Sequence, residues 1–264
     1  MKKQSMIHHS KFWEMHFIQN ATKQRIDWEI KAALTSDDKE ALLYSIKAWQ
    51  LGETSEGKHL LAAATRYANK TNDHHYIEPV KLFIKEEQKH GANLGKYIDM
   101  LGEQRTKKDW GDTLFRKIRY FNKSMELWTI TVIIVESAAQ VFYEALQNAS
   151  DCKLLKSICN DILLDESHHI KFQNERMYII FNNKRFYNKA ISLVLYSCLF
   201  FGTIHAVWYA HKKAFIKGGV NKKEFMRRMY HKFFKSMQFL HANHSAIDFK
   251  EQEQDQSLLK KVAF

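Results

Sequence analysis

Residues 80–101 read VKLFIKEEQKHGANLGKYIDML, and their spacing decides the fold. Val80, Phe83, Ile84, Leu94 and Ile98 recur at helical intervals and form one apolar stripe. Glu87 and His90 fall on that same stripe. A three-residue step turns a helix by about 300°, so both side chains project from one face. Pro79 stands just upstream, where the first turn tolerates a residue with no N–H. An unpaired carboxylate on a buried face is costly unless it is paired or bound to a metal. The stretch therefore predicts a long helix that carries a ligand pair into a core.

Residues 152–181, CKLLKSICNDILLDESHHIKFQNERMYIIF, repeat the arrangement. Leu155, Ile158 and Ile162 share a stripe with Glu166 and His169, and Ser150 or Asp151 is expected to cap this helix. Asp161, Asp165 and His168 fall to the flank. Between Leu127 and Tyr143 the only charged residue is Glu136, in an apolar helix that reads as buried on most of its circumference. Upstream, TSDDKE offers helix-start residues, and residues 41–68 read as one helix with Leu42, Ile46, Trp49, Glu53, Glu56 and Leu60 on a face. Glu53 and Glu56 both qualify as the acid of that helix. Glu136 and Glu166 are 166 − 136 = 30 residues apart, and Glu56 and Glu87 are 87 − 56 = 31 apart. That near-symmetry favours Glu56, with Glu53 as the alternative one turn away. Two E-x-x-H pairs and two single glutamates give a candidate metal set of Glu56, Glu87, His90, Glu136, Glu166 and His169. Four carboxylates and two imidazoles suit iron or manganese better than zinc.

Composition agrees with helices. The 264 residues include one proline and nine glycines, too few for the turns of a sandwich, barrel or propeller. Lys and Arg exceed Asp and Glu by 41 − 29 = +12, which favours anionic partners without specifying the fold. Cys152, Cys159 and Cys198 form no CxxC and no zinc spacing. With no apolar stretch resembling a secretory signal in MKKQSMIHHSKFW, a reducing cytoplasm is the expected location.

Four helices with short connections between about residues 36 and 181 make an antiparallel bundle. With its paired E-x-x-H motifs, the pattern resembles the ferritin-like di-iron carboxylate superfamily. EEQKH at 86–90 is similar to rubrerythrin-like helices, and DESHHIKF at 165–172 to the D-E-x-x-H-x-x-F form of di-iron oxidases. The expected fold is all-α: a ferritin-like four-helix bundle with an N-terminal helical arm over the first 34 residues. One domain spans 1–264, with its core at 36–181 and extra helices at 188–245. The resemblance implies that Glu87 and Glu166 bridge two metals and that Glu56 and Glu136 are terminal ligands. It further implies a non-haem oxidase or oxygenase using two iron ions, or manganese and iron, with O2 as co-substrate. Hydroxylation, desaturation and N-oxygenation of an organic substrate, such as a lipid or acyl chain, belong to this chemistry. Without a CxxC pair, electrons must come from a separate reductase or ferredoxin. An iron-handling ferroxidase or peroxidase and a tRNA-modifying hydroxylase are the alternatives; a homodimer is compatible with the oxidase reading, and a monomer or dimer would count against iron storage.

Further residues have bland readings beside sharper ones. Glu144 fits a solvated helix end, Tyr97 and Tyr143 fit core packing, and His59 fits a flanking position. Glu86 falls beside the ligand stripe rather than on it. Metal-bound His90 and His169 each need an acceptor for the other ring N–H, and the sequence does not name it. Residues 190–210 are nearly all apolar and long enough to span a bilayer. A fifth core helix, with His205 as a hydrogen-bonded core histidine, is the first expectation there, and membrane contact the second. The basic and aromatic run at 222–235 reads as an amphipathic helix with a solvated face, or one that docks lipid headgroups. Nucleic acid is the lesser candidate because no recognition fold is signalled.

Overall fold

A computed structural model of the chain describes residues 6–111, 113, 124–242 and 244–246. Among these, helices dominate. Helix α1 spans Ser10–Ala21, with the His9 ring accepting from the Phe12 amide. Among the described residues of the expected arm only this part is helical; residues 23–27 form a loop that carries Arg25 toward the bundle. Helix α2 spans Ser36–Glu53; the Thr35 side chain caps it and Asp37 and Asp38 lie in its first turn, where they favour the positive helix end.

The helix expected over 41–68 is two helices. After α2 the chain turns through residues 54–57, and α3 runs over Lys58–Thr71. Gly57 sits at φ 65°, a conformation cheap only for glycine. Any Cβ there would come 2.6 Å from Ile84 Cδ1. A 3-10 turn at His74–Tyr76 leads into α4, Ile77–Met100, with Pro79 in its first turn as expected. Both α2 and α3 pack on α4.

Helix α5 spans Met125–Ala149 and α6 spans Lys153–Asn182. Cys152 rather than Ser150 or Asp151 occupies the N-cap of α6; the Ser150 hydroxyl accepts from the Cys152 amide instead. Helices α5 and α6 form the most extensive pairing, and α4 packs on α6. Leu42, Ile46, Leu94, Ile98, Phe142, Leu146, Ile158 and Ile162 fill the core between them. A second apolar cluster of Trp13, Phe17, Phe83 and Phe172 seats α1 on the bundle. Buried Arg176 clamps that junction: it lies 3.6 Å over the Tyr76 ring and bonds Asp73 and the Ser10 hydroxyl.

Helices α7, Phe186–Lys217, and α8, Lys222–His241, cover α5 from outside, and α7 also touches α2. Asn221 caps α8 by accepting from the Glu224 amide. The N- and C-terminal segments meet in a two-residue parallel pairing, Met6–Ile7 with Ser245–Ala246. Both α5 and α7 are long and apolar enough to cross a membrane. Helix α5 is instead the central core helix. Helix α7 is a core helix on one side only: Tyr196, Phe200, Ile204 and Trp208 are buried while Ile191, Val194 and Tyr209 are exposed. His205 lies on the exposed side, bonded to its own helix at the Phe201 carbonyl, and is not a core histidine. The tail from Glu251 lies outside the described residues.

Candidate metal centre

Five of the six expected ligands converge, and the sixth does not. Ligand atoms of Glu87, Glu136, Glu166 and His169 lie within 4.8 Å of one another, as do those of Glu53, Glu87 and His90. Glu87 belongs to both groups. Helices α4 and α6 supply the E-x-x-H pairs, α5 supplies Glu136 from its middle, and α2 supplies Glu53 from its last residue.

Glu56 is the correction. It stands in the turn between α2 and α3, its side chain 71% exposed and 2.5 Å from Lys58. Glu53, at 7% exposure, takes the inward position. The turn at 54–57 breaks the continuous helix on which the 31-residue symmetry depended. Close approach of α2 to α4 is set by Gly91: a Cβ there would meet Thr54 Cγ2 at 2.7 Å and the Glu53 carbonyl carbon at 3.1 Å. Gly91→Val should displace Glu53 from Glu87 at a cost of roughly 1–3 kcal/mol. A thermal melt and a metal titration of this variant check it; parental values for both would show that the contact does not hold the site.

The cluster crowds buried carboxylates against one another and against two histidines. Burial, with the charges of Glu87 and Glu166 alongside, holds Glu53 well above the usual carboxylate range. Burial, with Glu166 and Glu87 next to it, does the same to Glu136. Burial would raise Glu87 as well, but the charges of His169 and His90 outweigh it and bring the group down to about 2. Burial alone would lower both histidines; the Asp165 bond and the Glu87 charge raise His90, and the Glu87 charge raises His169 further. Several atoms aimed into the cluster have no hydrogen-bond partner though buried: both Glu166 oxygens, Glu87 Oε1, and Nδ1 of His90 and of His169. His169 Nδ1 stands 2.8 Å from Glu87 Oε1, an ion-pair contact when the ring is protonated. Buried polar atoms are seldom left without a hydrogen bond. The donor set is all oxygen and imidazole nitrogen, which suits iron or manganese.

The outward nitrogens of the histidines are held crosswise. His90 Nε2 on α4 donates to Asp165 Oδ2 on α6 at 3.1 Å, and His169 Nε2 on α6 donates to Glu86 Oε2 on α4 at 2.7 Å. A carboxylate can only accept, so Nε2 carries the proton and Nδ1 is left for the cluster. Each acceptor stands one residue before the glutamate ligand of its own helix. Asn20 at the end of α1 donates to both, at 2.5 Å to Glu86 and 2.8 Å to Asp165. Arg25 bonds Asp161, Asp165 and Asn20, and Lys89 reaches Asp161 and Asp165 at 3.2 Å.

Tyr143 is more than packing: its hydroxyl donates to Glu53 Oε1 at 3.0 Å. Tyr97 bonds Cys152 away from the cluster. Glu144 pairs with Arg228, and His59 is exposed on α3, so neither joins the site. Beside the cluster lies a cavity of about 170 Å³, with Glu53, Glu87 and Glu136 on one wall. Trp49, Phe83, Ile84, Trp128, Val132, Val135 and Val207 are among the apolar residues that line the rest. His211 also lines it, pushed down to about 4 by burial and bonded to the Ser45 hydroxyl.

No protein-family model matches the chain, and no curated protein matches it. Solved structures do. The chain is similar to a single-substitution variant of an R2-like ligand-binding oxidase with an aerobically reconstituted Mn/Fe cofactor, at a TM-score of 0.67 and 14% identity over 87% of this chain and 96% of that one. A second variant of such an oxidase gives a TM-score of 0.66 at 16% identity, covering 87% of this chain and 93% of that one. A long-soak structure of an R2-like ligand-binding oxidase gives 0.65 at 16% identity, over 87% and 92%. The chain thus has the all-α ferritin-like fold of these oxidases along most of its length.

Proposed function

We propose that the protein is a dioxygen-dependent di-metal oxidoreductase that oxidises an apolar organic substrate held in the cavity beside its carboxylates. The observation that carries the reading is the convergence of buried carboxylates and imidazoles from four helices, with atoms of Glu87, His90, Glu166 and His169 left without a hydrogen-bond partner. Glu53 and His90 would hold one ion, Glu136, Glu166 and His169 the other, and Glu87 would be shared. The likeness to Mn/Fe oxidases supports two metals of that kind, iron with iron or manganese with iron. Bound there, such a pair supplies the electrons that reduce dioxygen during oxidation of the substrate.

The residues of this chain do the rest. Asp165 and Glu86 fix the rings of His90 and His169 so that Nδ1 faces inward. Tyr143 holds Glu53 by its Oε1 and carries its own proton firmly, since burial and the Glu53 charge push the phenol well above its usual range. The aromatic and aliphatic wall excludes water and places a substrate against Glu53, Glu87 and Glu136. A cavity of about 150 Å³ with such a lining accepts a benzene-sized group, so this one fits a ring or a short acyl segment. That lining favours an oxidase of organic molecules over an iron store. Electrons are proposed to come from a separate cytoplasmic donor.

The test is anaerobic loading with ferrous iron, alone and with manganese, followed by exposure to air. Two metals per chain and rapid oxygen uptake are expected. Glu87→Ala and Glu166→Ala should each lower the stoichiometry and abolish uptake. Unchanged two-metal binding in both variants would sink the assignment.

A further inference from the structure

Formal charge is not spread evenly along this chain. Residues 184–241 hold twelve Lys or Arg and one acid, Glu224, so 12 − 1 gives +11 of the total +12. Among the described residues, ten of the fifteen exposed large hydrophobic side chains lie in the same segment. On α7, Phe186, Tyr187, Ile191, Val194 and Leu195 are exposed, followed by Phe201 and Tyr209. No charged residue lies on that helix between Lys189 and Lys212. From Ile191 to Tyr209 the face runs roughly 27 Å. Helix α8 extends it sideways. Tyr230 packs 5.9 Å from Phe201, Phe234 is 60% exposed, and Lys223, Arg227 and Lys235 stand exposed around them.

We infer that the joint face of α7 and α8 seats on an anionic phospholipid membrane surface, with the aliphatic and aromatic side chains among the acyl chains and the basic residues at the headgroups. The buried side of α7, packed on α5 and α2, means that the helix lies on the bilayer rather than spanning it. Contiguous exposed apolar area marks an interaction site, and the charge around it selects the partner. A strongly basic rim suits anionic headgroups. Nucleic acid would use the same charges but leave Ile191, Val194 and Leu195 without a counterpart. A second copy would bring its own basic rim against this one. The inference stands independently of the metal centre.

Vesicle co-sedimentation of the full chain tests it. With phosphatidylcholine containing roughly one-third phosphatidylglycerol, the protein should pellet at least about tenfold more than with phosphatidylcholine alone, and about 0.5 M salt should weaken this. Ile191→Asp with Val194→Asp should abolish pelleting, and Lys223→Glu, Arg227→Glu and Lys235→Glu together should reduce it roughly tenfold or more. All five positions are exposed, so the variants should keep the parental melting temperature and metal content, which separates this inference from the metal reading. Equal binding to neutral and anionic vesicles would overturn it. So would a dimer in light scattering that Ile191→Asp dissociates, or RNA binding that survives the Ile191 and Val194 substitutions.

Discussion

Replacing Glu53 with Ala should remove one of two bound metals, and replacing Glu56 with Ala should remove none. Glu53 is buried, shares its group of ligand atoms with Glu87 and His90, and accepts from Tyr143 at 3.0 Å. Losing an outer hydrogen-bond partner of a metal site costs 10–100-fold in affinity, so losing a ligand should cost roughly 100-fold or more. Glu56 makes an exposed ion pair with Lys58, the kind that contributes about 0–1 kcal/mol. A second readout has the opposite sign. Burial and the Glu87 and Glu166 charges make Glu53 unfavourable in the metal-free protein. Glu53→Gln should therefore melt at a higher temperature than the parent without metal and at a lower one with it. Metal analysis and paired melts check both. Two metals retained in Glu53→Ala, with one lost in Glu56→Ala, would restore the symmetric assignment.

This contrast also marks where the sequence stops being informative. Glu87, His90, Glu136, Glu166 and His169 are legible because each is polar on a face whose other members are apolar, and periodicity reports faces well. Leu42, Ile46, Trp49 and Glu53 continue such a face too, with steps of four, three and four. What misleads is counting across Thr54-Ser55-Glu56-Gly57 as if the helix continued. That run of small and turn-forming residues ending in glycine is itself a break signal, and it argues for the acid before it.

The outer layer was less accessible for a different reason. Glu86 and Asp165 each precede a ligand glutamate, so a rotation of about 100° turns them off the ligand face toward a neighbouring helix. Which neighbour they serve depends on how α4 and α6 pack, and a single sequence carries no trace of that. Asn20 and Arg25 come from a helix end and a loop with no periodicity, so their place in the site arises from tertiary folding alone. The same holds for α7. Its apolar run reads identically whether one side or all sides are covered, and only packing against α5 and α8 distinguishes the two.

Stripping the metals should destabilise the protein strongly, and more so as pH rises. Each ion present at about 1,000 times its Kd adds roughly 4 kcal/mol, so two add roughly 8. At about 2–4 °C per kcal/mol for a chain near this size, chelation should lower Tm by roughly 15–30 °C. The pH dependence follows from which state binds more protons. In the metal-free protein His90 and His169 are raised above 6.5, so their contribution is complete below that value and is lost as pH climbs through the folded-state range. Glu53 and Glu136 are raised well above 4.5, so they too favour folding when protonated and oppose it once ionised. Glu87, Glu86 and Asp165 are lowered and act in the opposite sense, but only in acid, below their ordinary values of 4.5 and 3.8. From about pH 6.5 upward the lowered groups therefore add no slope, and the raised histidines and glutamates pull one way. Bound metals displace those protons, so the loaded protein should show little slope there while the stripped protein melts progressively lower. Melts at about pH 6.5, 7.5 and 8.5, with and without chelator, measure the widening gap. A stripped protein whose Tm is constant or rises over that range would mean that the buried carboxylates and histidines are paired with one another in a finished structural network rather than waiting for cations.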